Sequence, residues 1–187
     1  LLKYKNGLFE SYGVERNVYA LKIKCLLEDS KNRLWIGTEG SGLMIYQDEE
    51  TKFYTAGKGL GSNFVKDIIE DKKGNIWVAT SNGISRISPQ LKKIKQYNKR
   101  KKNLHYNRVN TLWEDRSGRI WYGTHGKGLG IIGPASPEVL DFKSGLSSNI
   151  IRDLTEDKKG NLYIATAGNG VDVVSPYTQP FEFVNLS

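Results

Sequence analysis

The sequence predicts an all-β fold of four repeated, four-stranded antiparallel sheets, and two observations predict it. First, one phrase occurs four times: Glu28-Asp29 leading to Trp35-Ile36-Gly37-Thr38, Glu70-Asp71 to Trp77-Val78-Ala79-Thr80, Glu114-Asp115 to Trp121-Tyr122-Gly123-Thr124, and Glu156-Asp157 to Tyr163-Ile164-Ala165-Thr166. The aspartates are 42, 44 and 42 residues apart, a period at which one supersecondary unit stacks on the next. Second, the phrases are flanked by short β-branched and aromatic runs separated by glycine-bearing turns, too short for helices.

Each unit reads as a meander. The first strands are expected at 23–27, 65–69, 109–113 and 151–155, and the second at 34–38, 76–80, 120–124 and 162–166. The link between them carries Gly74, Gly118 and Gly160, with Asn32 in the first copy. These residue types tolerate the positive φ of a tight hairpin. Third strands follow a second turn, at 43–46, 84–87, 129–132 and 171–174, and variable fourth strands are expected at 52–55, 93–97, 139–142 and 181–184.

Meanders repeated at this period stack around an axis as β-propeller blades. The expected blades are residues 23–55, 56–97, 98–142 and 143–187. Residues 1–22 would end a preceding blade, with Leu2-Lys3-Tyr4 as its fourth strand and Gly7-Leu8 opening its exit loop. Four blades and an orphan strand describe an open arc from a longer protein. Its exposed apolar faces would favour a homo-oligomer.

Trp35, Trp77, Trp121 and Tyr163 are expected to wedge between blades, and the small residues Gly37, Ala79, Gly123 and Ala165 to admit a neighbour closely. The Glu-Asp pairs recur too regularly for a catalytic dyad. Accepting hydrogen bonds from turn amides suits them better.

Composition excludes several functions. No apolar run approaches the length needed to cross a bilayer, so no membrane contact is expected of these residues. The net charge of +8 is concentrated between Lys92 and Lys102, which hold seven basic residues and no acidic one. Such a local run reads as a guard on an edge strand or as a patch for an anionic ligand, and does not point to nucleic acid. Cys25 is the only cysteine and forms no internal disulfide. His105 and His125 lack zinc-pair spacing, and neither a nucleophile elbow nor a phosphate-cradling loop occurs. No cofactor, metal or catalytic residue is assigned.

The repeated Glu-Asp-x-x-Gly-x-Ile-Trp-x-Gly-Thr phrase, with Gly59-Leu60-Gly61-Ser62-Asn63 and Gly145-Leu146-Ser147-Ser148-Asn149 between copies, resembles the two-component-regulator propeller repeat. The resemblance implies the periplasmic sensor region of a hybrid two-component histidine kinase, a family in which many members regulate glycan use. The chain would then be non-catalytic, with an oligosaccharide ligand. A propeller-type lyase or hydrolase and a protein-interaction scaffold are the alternatives. The third connection departs from the pattern, reading Asn103-Leu104-His105-Tyr106-Asn107, and the residues 13–21 replace the usual loop before the first blade.

In a propeller the loops after the second and fourth strands share one face, at the mouth of the central channel. Loops on a rigid scaffold commonly carry recognition residues. The rim candidates are Tyr106, Arg108, His125, Lys127, Asn149 and Asn169. Their amide, aromatic and cationic groups suit a carbohydrate, and equally a solvated loop or a protein partner. The first strands offer a second place, with Lys66, Asp67, Arg152 and Asp153 facing the channel.

Overall fold

The computed structural model describes residues 2–11, 21–48, 50–101, 104–132, 139–175 and 183–186. The first blade contains β3 (Ile23–Glu28), β4 (Leu34–Thr38), β5 (Leu43–Gln47) and β6 (Glu50–Tyr54). The second contains β7 (Val65–Glu70), β8 (Ile76–Thr80), β9 (Gly83–Ile87) and β10 (Ile94–Tyr97). The third follows with β11 (Val109–Glu114), β12 (Ile120–Thr124), β13 (Leu129–Ile132) and β14 (Val139–Leu140). The fourth has β15 (Ile151–Glu156), β16 (Leu162–Thr166), β17 (Val171–Val174) and β18 (Phe183–Leu186). Every sheet pairs its strands antiparallel in chain order. The first strands β3, β7, β11 and β15 stand side by side, and the four sheets form an open arc.

The segment before the first blade differs from expectation. β1 (Leu2–Lys5) and β2 (Leu8–Ser11) form a hairpin of their own, so Gly7-Leu8 belongs to a turn and a strand rather than an exit loop. Asn6 at φ 52° and Gly7 at φ 84° make that turn, the residue pair most suited to a two-residue hairpin. The expected loop at 13–21 lies outside the described residues up to position 20, as does Phe181 of the expected last strand.

The repeated phrase builds one device four times. Gly74, Gly118, Gly160 and Asn32 all have positive φ in the turn after the first strand. The aspartate folds back over that turn: Asp115 Oδ1 accepts from the Arg119 amide at 2.9 Å, while Oδ2 accepts from the Trp121 indole N–H at 2.9 Å. Asp29–Trp35 and Asp71–Trp77 repeat the bond at 2.7 Å. Tyr163 reaches Asp157 more weakly, at 3.4 Å. The preceding glutamate serves the interface between blades: Glu70 accepts from both the amide and hydroxyl of Ser30, and Glu114 from the Lys72 amide.

Packing joins the blades through the same residues. Trp35, Leu43 and Ile45 pack on Val65, Ile68, Ile76 and Val78 of the second blade. Trp77, Ala79, Ile84 and Tyr97 pack on Val109, Leu112, Ile120 and Tyr122 of the third. Trp121, Leu129, Ile131 and Leu140 meet Ile151, Leu154, Leu162 and Ile164 of the fourth. The corresponding face of the fourth blade, with Tyr163, Ala165, Val171 and Val173, is only half-buried. No further sheet covers it among the described residues.

These aspartates make the fold acid-sensitive. Burial opposes ionisation of Asp29, Asp71 and Asp115, but the tryptophan N–H and the turn donors outweigh it and hold each carboxyl below its usual value. A carboxyl lowered in the folded state contributes stability above its unfolded value, and that stability is lost as pH falls through the folded one. Asp67 acts in the opposite sense, because burial raises it despite its hydrogen bonds. Urea midpoints should therefore stay level down to about pH 5 and fall steeply below about pH 4, where unperturbed carboxyls titrate. Asp115→Asn should be less stable at pH 7 and show a shallower acid limb. Equal acid limbs in parent and variant would contradict this account.

Candidate functional site

The channel-mouth face is assembled by backbone bonds between adjacent blades. The loop before each first strand runs under the turn after the preceding blade's second strand. Asn63 C=O accepts from Gly40 and Gly42, and Asn149 C=O accepts from Gly126 and Gly128. Within single blades, Arg108 C=O accepts from the His125 amide at 2.9 Å, Phe64 C=O from Ser81, and Ile150 C=O from Ala167. His125 also bridges to Ile150. The rim is thus a continuous hydrogen-bonded frame, and a side chain on it has a fixed origin.

A second device sets direction. Each first strand carries a register shift at its second residue: between Ile23 and Cys25, Val65 and Asp67, Val109 and Thr111, and Ile151 and Asp153. The extra residues are Lys24, Lys66, Asn110 and Arg152. A bulge of this kind re-aims a side chain and recurs beside functional sites. Here it brings Lys66 and Arg152 into one cleft of about 410 Å³ with Arg108, His125, Asn110 and Phe64.

The six rim candidates divide accordingly. Arg108 and His125 line this cleft. Asn149 spends its Oδ1 on the Phe142 amide at 2.8 Å, clamping its own loop as Asn63 and Asn107 do on Ala56 and Lys99. Asn169 donates to Ser147 C=O and ties the fourth blade's turn down. Lys127 is exposed outside the cleft and contributes backbone bonds, donating to Thr124 Oγ1 and accepting from His105 Nε2. Tyr106 is half-buried and does not line the cleft. His105, between the Tyr122 hydroxyl at 2.6 Å and Lys127 C=O at 2.8 Å, is a structural bridge. Rim position alone did not reveal that Lys66 and Arg152 join Arg108. Their shared place, second in the first strand, was the available clue.

Electrostatics single out the cleft. Slight burial, then the charges of Arg108, Arg152 and Lys66, hold the His125 imidazole below its usual value. Deeper in the channel Asp67 Oδ2 accepts from the Leu112 amide at 2.8 Å and from Thr111 Oγ1 at 3.2 Å, crossing from one blade to the next. Burial and the Asp67 charge push the Cys25 thiol up to about 12, which makes it a poor nucleophile at ordinary pH. Among the described residues, no His, Cys, Asp or Glu group of three or more is placed to hold a metal. No helix among them is long and apolar enough to cross a membrane.

Comparison with known proteins adds to this geometry. Residues 20–40, 59–82 and 145–168 match the family described as two component regulator propeller. The chain is similar to the extracellular domain of a putative hybrid two component system from B. thetaiotaomicron, with 28% identity over 97% of this chain and TM-score 0.79. A second such domain from the same organism is 24% identical over 89% of this chain, with TM-score 0.77. The chain covers 24% and 25% of those two structures, about a quarter of each. An inactive virginiamycin B lyase from Staphylococcus aureus shares the fold, at 16% identity over 96% of this chain and 59% of the lyase, with TM-score 0.69. No curated protein matches.

Proposed function

We propose that this chain, which carries two-component-regulator propeller repeats, is a non-catalytic part of the periplasmic sensor region of a hybrid two-component histidine kinase. It contributes to sensing a glycan ligand. One observation carries the reading: the channel-mouth frame spends its amides and carbonyls on itself and presents Lys66, Arg108, His125 and Arg152 to one cleft. A rigid rim with convergent polar side chains suits recognition. A ligand that bound two arrangements of the sensor unequally would shift their populations, which is all that signalling requires.

The lyase reading has the shared propeller fold in its favour, and fold does not carry activity. Of the two histidines, His105 is committed at both ring nitrogens. His125 sits among cations, and among the described residues no oriented carboxylate of the kind that supports many general bases accompanies it.

A thermal-shift screen of the intact sensor region against oligosaccharides distinguishes the two. A sensor ligand at a hundredfold excess over its Kd stabilises by about 2.7 kcal/mol, which raises the melting temperature, and is recovered chemically unchanged. Cleavage of the ligand, lost on His125→Asn, would replace this reading with the enzymatic one.

A further inference from the structure

We propose that the cleft between the second, third and fourth blades is an oxyanion site, which recognises a ligand bearing a carboxylate, sulfate or phosphate group through Lys66, Arg108 and Arg152. This rests on the sensor reading above and names the chemical class of its ligand.

The argument begins with charge balance. Three guanidinium groups elsewhere in this arc have carboxylate partners, Arg33 with Asp29 at 2.6 Å, Arg119 with Asp115 at 2.6 Å and Arg116 with Glu156 at 3.9 Å, while Arg86 lies 5.5 Å from the centroid of the Trp77 ring. Lys24, the bulge residue of the first blade, lies 3.9 Å from Glu39. Lys66 and Arg152 occupy the same bulge position, but Ser81 and Ala167 stand where Glu39 would be. The third blade has Asn110 at the bulge and supplies its cation from Arg108, the residue just before the strand. Each of three successive blades thus sends one cation to the same cleft. No carboxylate pairs with any of the three among the described residues.

Like charges gathered at a concave surface repel one another and raise the potential there. The arrangement becomes favourable when an anion enters and is held by charge-assisted hydrogen bonds, for which arginine has a suitable fork. The cations are also prepositioned. Their origins are fixed by the strand bulges and by the bond from the His125 amide to Arg108 C=O. Asn110 Nδ2 donates to Ile151 C=O at 2.8 Å and stays out of the way of a ligand.

Two further groups refine the ligand. Phe64 is 47% exposed and lines the cleft, so it offers an aromatic face beside the cations. Such a face suits the apolar side of a sugar ring better than a bare inorganic ion. His125 is faced by Arg108, Lys66 and Arg152 from the three contributing blades, and slight burial and those charges hold its imidazole below the usual value. An arriving anion offsets them, so binding should take up a proton on this ring. None of the described residues of the basic run from Lys92 lines the cleft. Of its described residues, Lys92 and Lys93 precede the outer strand β10, Lys95 lies on it, and Lys99–Lys101 form the turn after it.

Calorimetric titration of the protein in low-salt chloride buffer tests the site. The probes are a uronate-containing disaccharide, a sulfated disaccharide, a neutral disaccharide of the same size, and inorganic phosphate. We expect an acidic disaccharide to bind at least about tenfold more tightly than the neutral one. Lys66→Gln, Arg108→Gln and Arg152→Gln should each weaken it by about tenfold, equivalent to 1.4 kcal/mol, with affinity falling as salt rises. Titration in two buffers of different ionisation heat should show proton uptake at pH 7, absent in His125→Asn. Without ligand, the glutamine variants should melt no lower than the parent, since only repulsion is removed. Tighter binding of phosphate than of either acidic sugar supports the oxyanion site and removes the glycan from the sensor reading. Neutral-sugar binding that equals acidic-sugar binding and survives in the triple variant overturns the oxyanion site and leaves the sensor reading standing. Failure of all three anionic probes to bind also overturns it.

Discussion

Trp121→Ala should lower the stability of the protein by about 3–5 kcal/mol, the range for removing a fully buried aromatic side chain from a core. The ring is fully buried and sits where the third and fourth blades meet, against Ile151, Leu154, Leu162 and Ile164. Its N–H holds Asp115 Oδ2, and the Arg119 guanidinium lies 5.4 Å from its centroid. Alanine therefore leaves a cavity between two blades and strips one donor from a buried carboxylate, two costs that add. Urea unfolding at pH 7 measures the loss. Trp121→Tyr, which imitates the fourth blade's Tyr163, should cost less, because a phenol retains most of the ring area and approaches the aspartate. A loss below about 1 kcal/mol in the alanine variant would mean that the tryptophan column does not join the blades.

Gly123→Val should be the second severe change, through the opposite fault. A Cβ at this position would stand 2.5 Å from Ile151 Cγ2 and 2.7 Å from Thr111 Cγ2. Backbone strain is not involved, since Gly123 is not among the positive-φ glycines. What fails is the approach of β15 to β12. Overpacking costs about 1–3 kcal/mol or more, and valine adds two further carbons to the clash. Hydrogen exchange should show the amides of Ile151–Glu156 losing protection first, while those of the first blade keep theirs. Uniform protection across all four sheets would refute the close approach.

That same column shows how far the residues alone can be read. The alternation of Gly37, Ala79, Gly123 and Ala165 is visible in the repeat, and a close inter-blade contact follows from it. Its reason is visible only in three dimensions. Gly37 pairs with Cys25 and Gly123 with Thr111, whereas Ala79 pairs with Asp67 and Ala165 with Asp153. The carboxylates of Asp67 and Asp153 turn to accept from the amides of Ile68 and Leu154, which leaves room for a methyl group opposite. The Cys25 sulfur and the Thr111 methyl do not turn away, and glycine is required. The hairpin of β1 and β2 follows from equally local chemistry, an Asn6-Gly7 pair at positive φ.

The local chemistry of the repeat determined the blades. The β-rich runs set the strands, asparagine and glycine set the turns, and one aspartate per copy placed the tryptophan or tyrosine beneath its own hairpin, all within about a dozen residues of chain. Which polar groups converge is a different kind of question. Asn149 and Arg108 both lie on the rim, yet one carboxamide is consumed by its own loop and the guanidinium faces a cleft. Lys66 and Arg152 meet because two strand bulges aim them inward and the sheets splay around one axis. Those directions depend on neighbours contributed by other blades, one or two repeat lengths away in the chain, so only the assembled arc decided the site.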